Sequence, residues 1–227
     1  QIILFFTVPM TVELSFLAKP VWTIFYGASK YSPLTYQYLV FVALATAIFT
    51  STVMIVQLLK ENKTVFISLI FGMLVKVLLN IPLIHSFNKM GLPAFYGAIT
   101  ATILGFLTSS VIALIVLRKK YKFNLEETAK ESLNILIAVI AMVIVLLGLK
   151  LVVPINTTSR LMAILVVALY AVVGAAVYLF ILHKTKSINN IFGEEKINEL
   201  LSRKKKTKNI KPKKVVKNKI QKKKKVN

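Results

Sequence analysis

Residues 69–84 read LIFGMLVKVLLNIPLI, an almost wholly apolar stretch that carries one charge, Lys76. About 20 mostly apolar residues are enough to cross the hydrocarbon core of a bilayer as a helix. A lysine that faces lipid at the centre of such a helix costs roughly 2.5–3.5 kcal/mol on insertion scales. We therefore predict a transmembrane helix in which Lys76 faces other protein or a water-filled cavity.

Similar apolar stretches recur along the chain, which is 56% hydrophobic with a mean hydropathy of +0.73. Soluble domains are usually about 45–50% apolar. We predict an all-α, polytopic membrane protein with a transmembrane domain over residues 1–183. Its six helices are expected at about 2–27, 36–59, 64–87, 93–117, 133–153 and 161–182. Because the first span begins next to Gln1, we expect the chain to be the C-terminal part of a longer protein.

The net charge of +22 is unevenly distributed. Lys60 and Lys63 follow the second span, a basic cluster at 118–122 follows the fourth, and a lysine-rich segment follows the sixth. The other connections are poorer in lysine and arginine. Since basic residues are retained on the cytoplasmic side of a membrane, we predict a multi-pass protein of the cell membrane whose C-terminus is cytoplasmic.

Residues 184–227 are expected to leave the membrane. The stretch 188–201 places apolar residues near one helical face, which predicts a cytoplasmic amphipathic helix. The remainder is rich in lysine and has little that could form a core, so we predict a disordered basic tail. Such a tail attracts anionic membrane lipid. The membrane domain makes this interpretation preferable to nucleic-acid binding, and we expect no nucleic-acid partner.

Polar and small residues recur every four positions in the third span. Ser68, Gly72, Lys76 and Asn80 fall on one slowly winding helical face, which we interpret as a candidate substrate path. Intramembrane ionisable groups are often functional. A purely structural lysine that snorkels or pairs with a carbonyl remains an equal alternative.

Glu13 is the only acidic residue inside a predicted span. It is a further path candidate, which would either pair with Lys76 or bind a coupling cation. Pro9 and Pro82 interrupt the hydrogen bonding of their helices and are candidate hinges. Two histidines and no cysteine give no pattern of metal ligands, and we expect no cofactor.

The remaining spans offer packing signals and little chemistry. Gly97, Ala101, Gly105 and Ser109 form a small-residue stripe in the fourth span, which predicts close approach of a neighbouring helix. The fifth and sixth spans are nearly pure aliphatic sequence and are suited to contact with a lipid chain.

Three segments resemble bacterial exporters of polysaccharides and lipid-linked oligosaccharides. The first span resembles the pattern P-x-x-x-x-L-x-x-L-A-x-P-x-x-x-x-x-Y-G, through Pro9, Leu14, Leu17, Ala18, Pro20, Tyr26 and Gly27. The next segment resembles L-Q-G-x-G-K followed by G-x-x-x-K-x-x-x-N, through Gln57, Lys60, Gly72, Lys76 and Asn80, with Leu58 in place of a glycine. A third resembles G-x-x-G-A-x-x-A-T, through Gly91, Gly97, Ala98, Ala101 and Thr102.

These motifs are similar to those of the multidrug/oligosaccharidyl-lipid/polysaccharide flippase superfamily, in its stage V sporulation protein B and lipid II flippase-like branch. The resemblance implies twelve to fourteen helices in two lobes around a central cavity, with this chain as the C-terminal lobe and the final helix pair. It also implies a transporter rather than an enzyme. The substrate would be a polyprenyl-pyrophosphate-linked oligosaccharide or peptidoglycan precursor, and Lys76 would attract its phosphate groups.

Two other functions stay open at this point. A cation-coupled multidrug exporter of the same superfamily would use a carboxylate such as Glu13 for its coupling ion. A polytopic glycosyltransferase or polymerase of cell-envelope assembly is the alternative from another class. The short and almost uncharged outer loops disfavour the enzyme, because such enzymes usually need charged loops outside the membrane.

Overall fold

A computed structural model describes residues 1–27, 32–121, 126–155, 159–185 and 187–192. All the regular secondary structure in these ranges is helical. The helices are α1 (Ile2–Phe16), α2 (Ala18–Tyr26), α3 (Ser32–Leu58), α4 (Asn62–Lys89), α5 (Phe95–Tyr121), α6 (Glu126–Val152), α7 (Arg160–Lys184) and α8 (Ser187–Phe192). Contacts divide the chain into a unit over Gln1–Ser187 and a second over Ile188–Asn227. Of the second unit, only residues up to 192 are described.

Five helices, α3 to α7, are long and apolar enough to cross a membrane, and the bent pair of α1 and α2 would make a sixth span. The predicted class, an all-α polytopic membrane protein, is therefore confirmed. The amphipathic helix predicted over 188–201 overlaps α8 only as far as Phe192. Its remainder and the basic tail lie outside the described residues and stay predictions.

The first predicted span is broken rather than continuous. Helices α1 and α2 meet at Leu17 with a bend of 76°. Pro20 explains the break, because proline has no N–H for the carbonyl of Phe16 and its ring clashes with that carbonyl in a continuous helix. Within the first turn of the new helix α2, the same proline is tolerated.

Helices α4 and α5 pack closely along glycines, as the small-residue stripe of α5 predicts. A Cβ atom built on Gly97 would lie 2.4 Å from the nitrogen of Ile84. One built on Gly105 would lie 2.8 Å from the carbonyl oxygen of Gly72. Only glycine permits this approach of two backbones, so these positions fix the crossing of the two helices.

The turn between α3 and α4 depends on Lys60, which holds a positive φ of 60°. The N–H of Glu61 donates to the carbonyl of Val56 at 3.1 Å, and that of Lys60 to Gln57 at 2.9 Å, the pattern of a Schellman turn. Counted from Gln57, Lys60 falls at the second glycine of the L-Q-G-x-G-K pattern and Glu61 falls at its lysine, so Lys60 was wrongly matched to that lysine. The missing glycine that matters to this turn is therefore at Lys60 rather than at Leu58.

Side-chain contacts also connect α4 with α5 at this end of the bundle. Lys120 forms an ion pair with Glu61, and the Tyr121 hydroxyl donates to the same carboxylate at 2.8 Å. The hydrogen bonds from Lys120 and Tyr121 lower the pKa of Glu61 below its ordinary value. The contact joins the start of α4 to the end of α5.

Candidate functional site

Lys76 lies near the middle of the 28-residue helix α4, about 20 Å from either end. Its side chain is exposed. Its Cβ would lie 3.0 Å from a Cβ built on Gly105, so the base of the side chain packs against α5. Lys76 therefore lies at the edge of the seam between α4 and α5, on a helix whose nearby residues Leu74 and Val77 are also exposed.

The predicted face of Ser68, Gly72, Lys76 and Asn80 divides into two parts. Ser68 is fully buried, and the Ser109 hydroxyl donates to its carbonyl at 2.9 Å. Gly72 is also buried in this seam. Lys76 is exposed and Asn80 is half-buried. Ser68 and Gly72 therefore hold α5 in place in this arrangement, and only Lys76 and Asn80 are open to a ligand.

Glu13 lies against α7, where it faces Gly174. A Cβ built on Gly174 would lie 2.6 Å from Oε1 of Glu13 and 3.2 Å from Cδ. The Oε1 atom is buried and accepts no hydrogen bond. Gly174 lies about 15 Å from the end of α7 at Lys184 and about 21 Å from its start at Arg160, which places the carboxylate near mid-helix depth.

Glu13 also sits in the last turn of α1, directly before the break at Leu17. Helix C-termini carry partial negative charge and favour cations. A carboxylate in this position therefore adds negative charge to a helix end that is already negative, and a positive ligand would stabilise both.

The alternative pairing of Glu13 with Lys76 is absent from this arrangement. Glu13 contacts α7 while Lys76 contacts α5. The ion pair between Lys120 and Glu61 involves neither of them. The two charged groups within the apolar helices are consequently separate sites.

Neither predicted hinge proline ends its helix. Pro9 is buried inside α1, and Pro82 lies inside α4. Since Pro9 has no N–H to offer the carbonyl of Phe5, the Tyr178 hydroxyl donates to that carbonyl at 2.7 Å. The sharp bend falls instead at Leu17.

Three residues of α7 contribute to this region, although the sequence analysis predicted no functional residues in that helix. Tyr170, Gly174 and Tyr178 follow one another at four-residue spacing and contact Phe16, Glu13 and Phe5 respectively. The sequence feature that could have predicted this role is the four-residue spacing of two tyrosines around a glycine in an otherwise aliphatic helix.

Lys150 and Tyr170, two titratable residues near the break, interact with other groups. Nζ of Lys150 lies 6.0 Å from the centroid of the Phe16 ring. The Tyr170 hydroxyl donates to the carbonyl of Val153 at 2.7 Å. No cluster of three His, Cys, Asp or Glu residues that would hold a metal occurs in the described part of the chain.

Over 200 residues, the chain is 30% identical to a protein named lipid II flippase MurJ from Bacillus subtilis (strain 168). The alignment covers 85% of this chain and 36% of that protein, so the chain spans about a third of the length of the curated relative it matches. No protein-family model and no solved structure matches the chain. The similarity confirms the resemblance predicted from the motifs.

Proposed function

We propose that this chain, a distant homologue of a lipid II flippase, is part of a transporter for lipid-linked saccharides. The substrate is a polyprenyl-pyrophosphate-linked oligosaccharide or peptidoglycan precursor, moved from the cytoplasmic to the outer leaflet of the cell membrane. No covalent bond changes in this reaction. The protein supplies a polar route for the headgroup while the isoprenoid chain stays in hydrocarbon.

The observation that carries the site assignment is the exposed side chain of Lys76 at mid-length in an apolar helix. A charge at this depth is stabilised by water or by an anion and not by lipid. A pyrophosphate supplies that anion, and lysine binds phosphate as a compact point charge. Asn80, one turn further along, offers hydrogen bonds to the same headgroup.

Helices α6 and α7 support a second part of the proposal. Their outward surfaces are aliphatic: Leu136, Ile137, Ile140, Ile144, Ile164, Leu165, Leu169 and Val172 are exposed. We assign this surface to lipid contact, including the isoprenoid chain of the substrate. The apolar character alone fits any lipid, so the assignment to the substrate follows from the resemblance.

The orientation follows from charge. Lys60, Lys63 and Arg118 lie in or beside the connections that the positive-inside rule assigns to the cytoplasm, and on this proposal the C-terminus is cytoplasmic as well. The basic tail would then lie beside the cytoplasmic leaflet, where anionic lipid attracts it by about 1 kcal/mol per nearby basic residue.

The experiment compares Lys76→Ala with Lys63→Ala, which removes an equal charge near the start of the same helix. In the intact protein in vesicles, Lys76→Ala should abolish or strongly reduce outward movement of lipid-linked saccharide, normalised to inserted protein. Lys63→Ala should retain it, and Lys76→Arg should retain part of it because the charge remains. Full transport by Lys76→Ala would show that the lysine is structural and overturn the site assignment.

The unpaired carboxylate of Glu13 also fits a cation-coupled drug exporter, so that alternative needs its own test. Vesicles that contain the intact protein are loaded with a fluorescent organic cation. Cation-driven efflux of the dye, without movement of lipid-linked saccharide, would favour the exporter.

A further inference from the structure

We propose that one side of the short helix α2 binds the sugar-phosphate headgroup of the substrate after it has crossed the membrane. Lys19, Trp22 and Tyr26 form this side of the helix, and we call these three residues the α2 face. The inference rests on the proposed transport function, because the headgroup has to be received at the outer side before it is released. The α2 face is separate from Lys76, which lies on α4.

The bend at Leu17 turns α2 away from the direction of a membrane span. Helices α1 and α2 differ by 76° in direction, whereas transmembrane helices tilt by about 20° from the membrane normal on average. When α1 crosses the membrane, α2 therefore runs closer to the membrane plane than to its normal. The rings of Trp22 and Tyr36 lie 6.3 Å apart between centroids, which places α2 beside the start of α3, on the side that the charge distribution predicts to be external.

The three residues of the α2 face project in similar directions. At 3.6 residues per turn, Trp22 and Tyr26 fall within about 60° of Lys19 around the helix axis. Lys19 and Tyr26 are exposed and Trp22 is half-buried. The rest of α2 holds the helix against the bundle through its buried residues, which are Ala18, Pro20, Val21 and Thr23.

These residue types suit a sugar that carries a phosphate. The C–H groups on the face of a sugar ring pack against aromatic rings, while the tyrosine hydroxyl and the indole N–H can hydrogen-bond to sugar hydroxyls. The rings of Trp22 and Tyr26 lie 4.5 Å apart with 31° between their planes, so they form one continuous aromatic surface. Lys19 lies about 10 Å from Tyr26 along the helix and supplies a point charge for phosphate. This length is comparable with that of a pyrophosphate joined to one sugar ring.

A belt of aromatic residues at the membrane surface is the competing explanation, because tryptophan and tyrosine are enriched at both interfaces of a membrane. The tyrosines near the other end of the bundle use their hydroxyls internally: Tyr121 donates to Glu61, and Tyr178 donates to a backbone carbonyl. Within the described ranges, the polar groups of Trp22 and Tyr26 make no such bond. They are therefore available to a ligand that offers hydroxyl groups.

Phe25 provides a matched control for the belt. It is 71% exposed, compared with 72% for Tyr26, and the two rings lie 6.4 Å apart. Around the helix axis, however, Phe25 lies about 60° beyond Trp22 and further from Lys19. Phe25→Ala therefore removes an aromatic ring at the same membrane surface and leaves the α2 face intact. A belt makes Phe25→Ala and Tyr26→Ala equivalent, whereas a binding site distinguishes them.

The test measures binding of a soluble headgroup and needs no lipid-linked substrate. The intact protein in nanodiscs is titrated with N-acetylglucosamine 1-phosphate or glucose 1-phosphate, with the corresponding free sugars, and with inorganic phosphate. Saturation-transfer NMR detects the sugar-ring protons that contact the protein and gives the affinity of weak ligands. The same titrations are repeated with Tyr26→Ala, Lys19→Gln and Phe25→Ala.

We expect saturation transfer to the ring protons of at least one sugar and its phosphate. Tyr26→Ala should weaken the binding of both ligands roughly three- to tenfold, because it removes half of the aromatic surface. Lys19→Gln should weaken binding of the sugar phosphate about tenfold and leave binding of the free sugar unchanged. Phe25→Ala should bind both ligands as the unchanged protein does.

Two results would overturn the inference. Absence of sugar binding, with or without binding of inorganic phosphate, would show that the α2 face does not recognise saccharide. Equal losses in Phe25→Ala and Tyr26→Ala would leave only an aromatic belt. The proposed function fails separately: the expected sugar binding without transport of lipid-linked saccharide would reject that function and leave the site standing, whereas transport without sugar binding would reject the site alone.

Discussion

Replacing Gly72 by alanine tests whether the small stripe of α4 is a helix seam or the wall of an open path. The added methyl would lie 2.5 Å from the carbonyl oxygen of Gly105 and 1.9 Å from the hydroxyl of Ser109. Carbon and carbonyl oxygen normally approach to about 3.3 Å. The helices must therefore separate by roughly 0.8 Å, and Ser109 must turn away from the carbonyl of Ser68.

The magnitude follows from three contributions. Overpacking of this kind costs roughly 1–3 kcal/mol, and a hydrogen bond between transmembrane helices contributes about 0.6 kcal/mol. Alanine regains about 1 kcal/mol of helix propensity over glycine. Gly148→Ala gains the same helix propensity without the overpacking cost, because a Cβ at this position has nothing within 4 Å. We expect Gly72→Ala to be less stable than Gly148→Ala by about 1.5–3.5 kcal/mol.

The assay is reversible unfolding of both variants in mixed micelles, with the free energy of unfolding compared to that of the unchanged protein. Equal stability of the two variants would contradict the close packing of α4 against α5 at Gly72. It would mean that α4 and α5 are not in contact at Gly72, and that the face around Lys76 is open along its whole length.

Three further predictions concern the ends of the bundle. Lys60→Gly should raise the free energy of unfolding by about 1 kcal/mol, because it relieves the left-handed conformation; equal stability would contradict the turn assignment. Because the pKa of Glu61 is lower in the folded protein, its contribution to stability is present above the unfolded value of about 4.3 and is lost as pH falls through the folded value. The denaturation midpoint of the unchanged protein should therefore fall more at low pH than that of Glu61→Gln. The same pH dependence in both proteins would contradict the ion pair between Glu61 and Lys120. Cysteine at Met90 should react with an impermeant thiol reagent in intact cells and cysteine at Asn62 should not, whereas the reverse labelling would invert the orientation.

The sequence predicted the helices well because the length of an apolar run decides whether it crosses a membrane. Runs such as 69–84 carry that signal by themselves. The glycines of α5 also predicted close packing against another helix, because residues without side chains allow close approach whichever helix lies opposite.

Positions that depend on neighbouring helices were less predictable. Four-residue steps advance about 40° around a helix, so a stripe that begins in the seam at Ser68 reaches its exposed edge at Lys76. The sequence alone does not fix where that edge falls. The neighbour of Glu13 is Gly174, 161 positions later in the chain, and pairing with Lys76 was equally consistent with the spacing. The bend at Leu17 depends on Pro20, whereas Pro9 and Pro82 are accommodated within continuous helices.

The most direct test of the proposed function is the leaflet distribution of a polyprenyl-pyrophosphate-linked saccharide in vesicles that contain the intact protein. The lipid is placed in the leaflet that corresponds to the cytoplasmic side, and its appearance in the other leaflet is followed with a sugar-modifying enzyme that cannot cross the membrane. We expect protein-dependent appearance of the lipid that falls to the rate of protein-free vesicles in Lys76→Ala. Appearance at the protein-free rate with the unchanged, correctly inserted protein would contradict it.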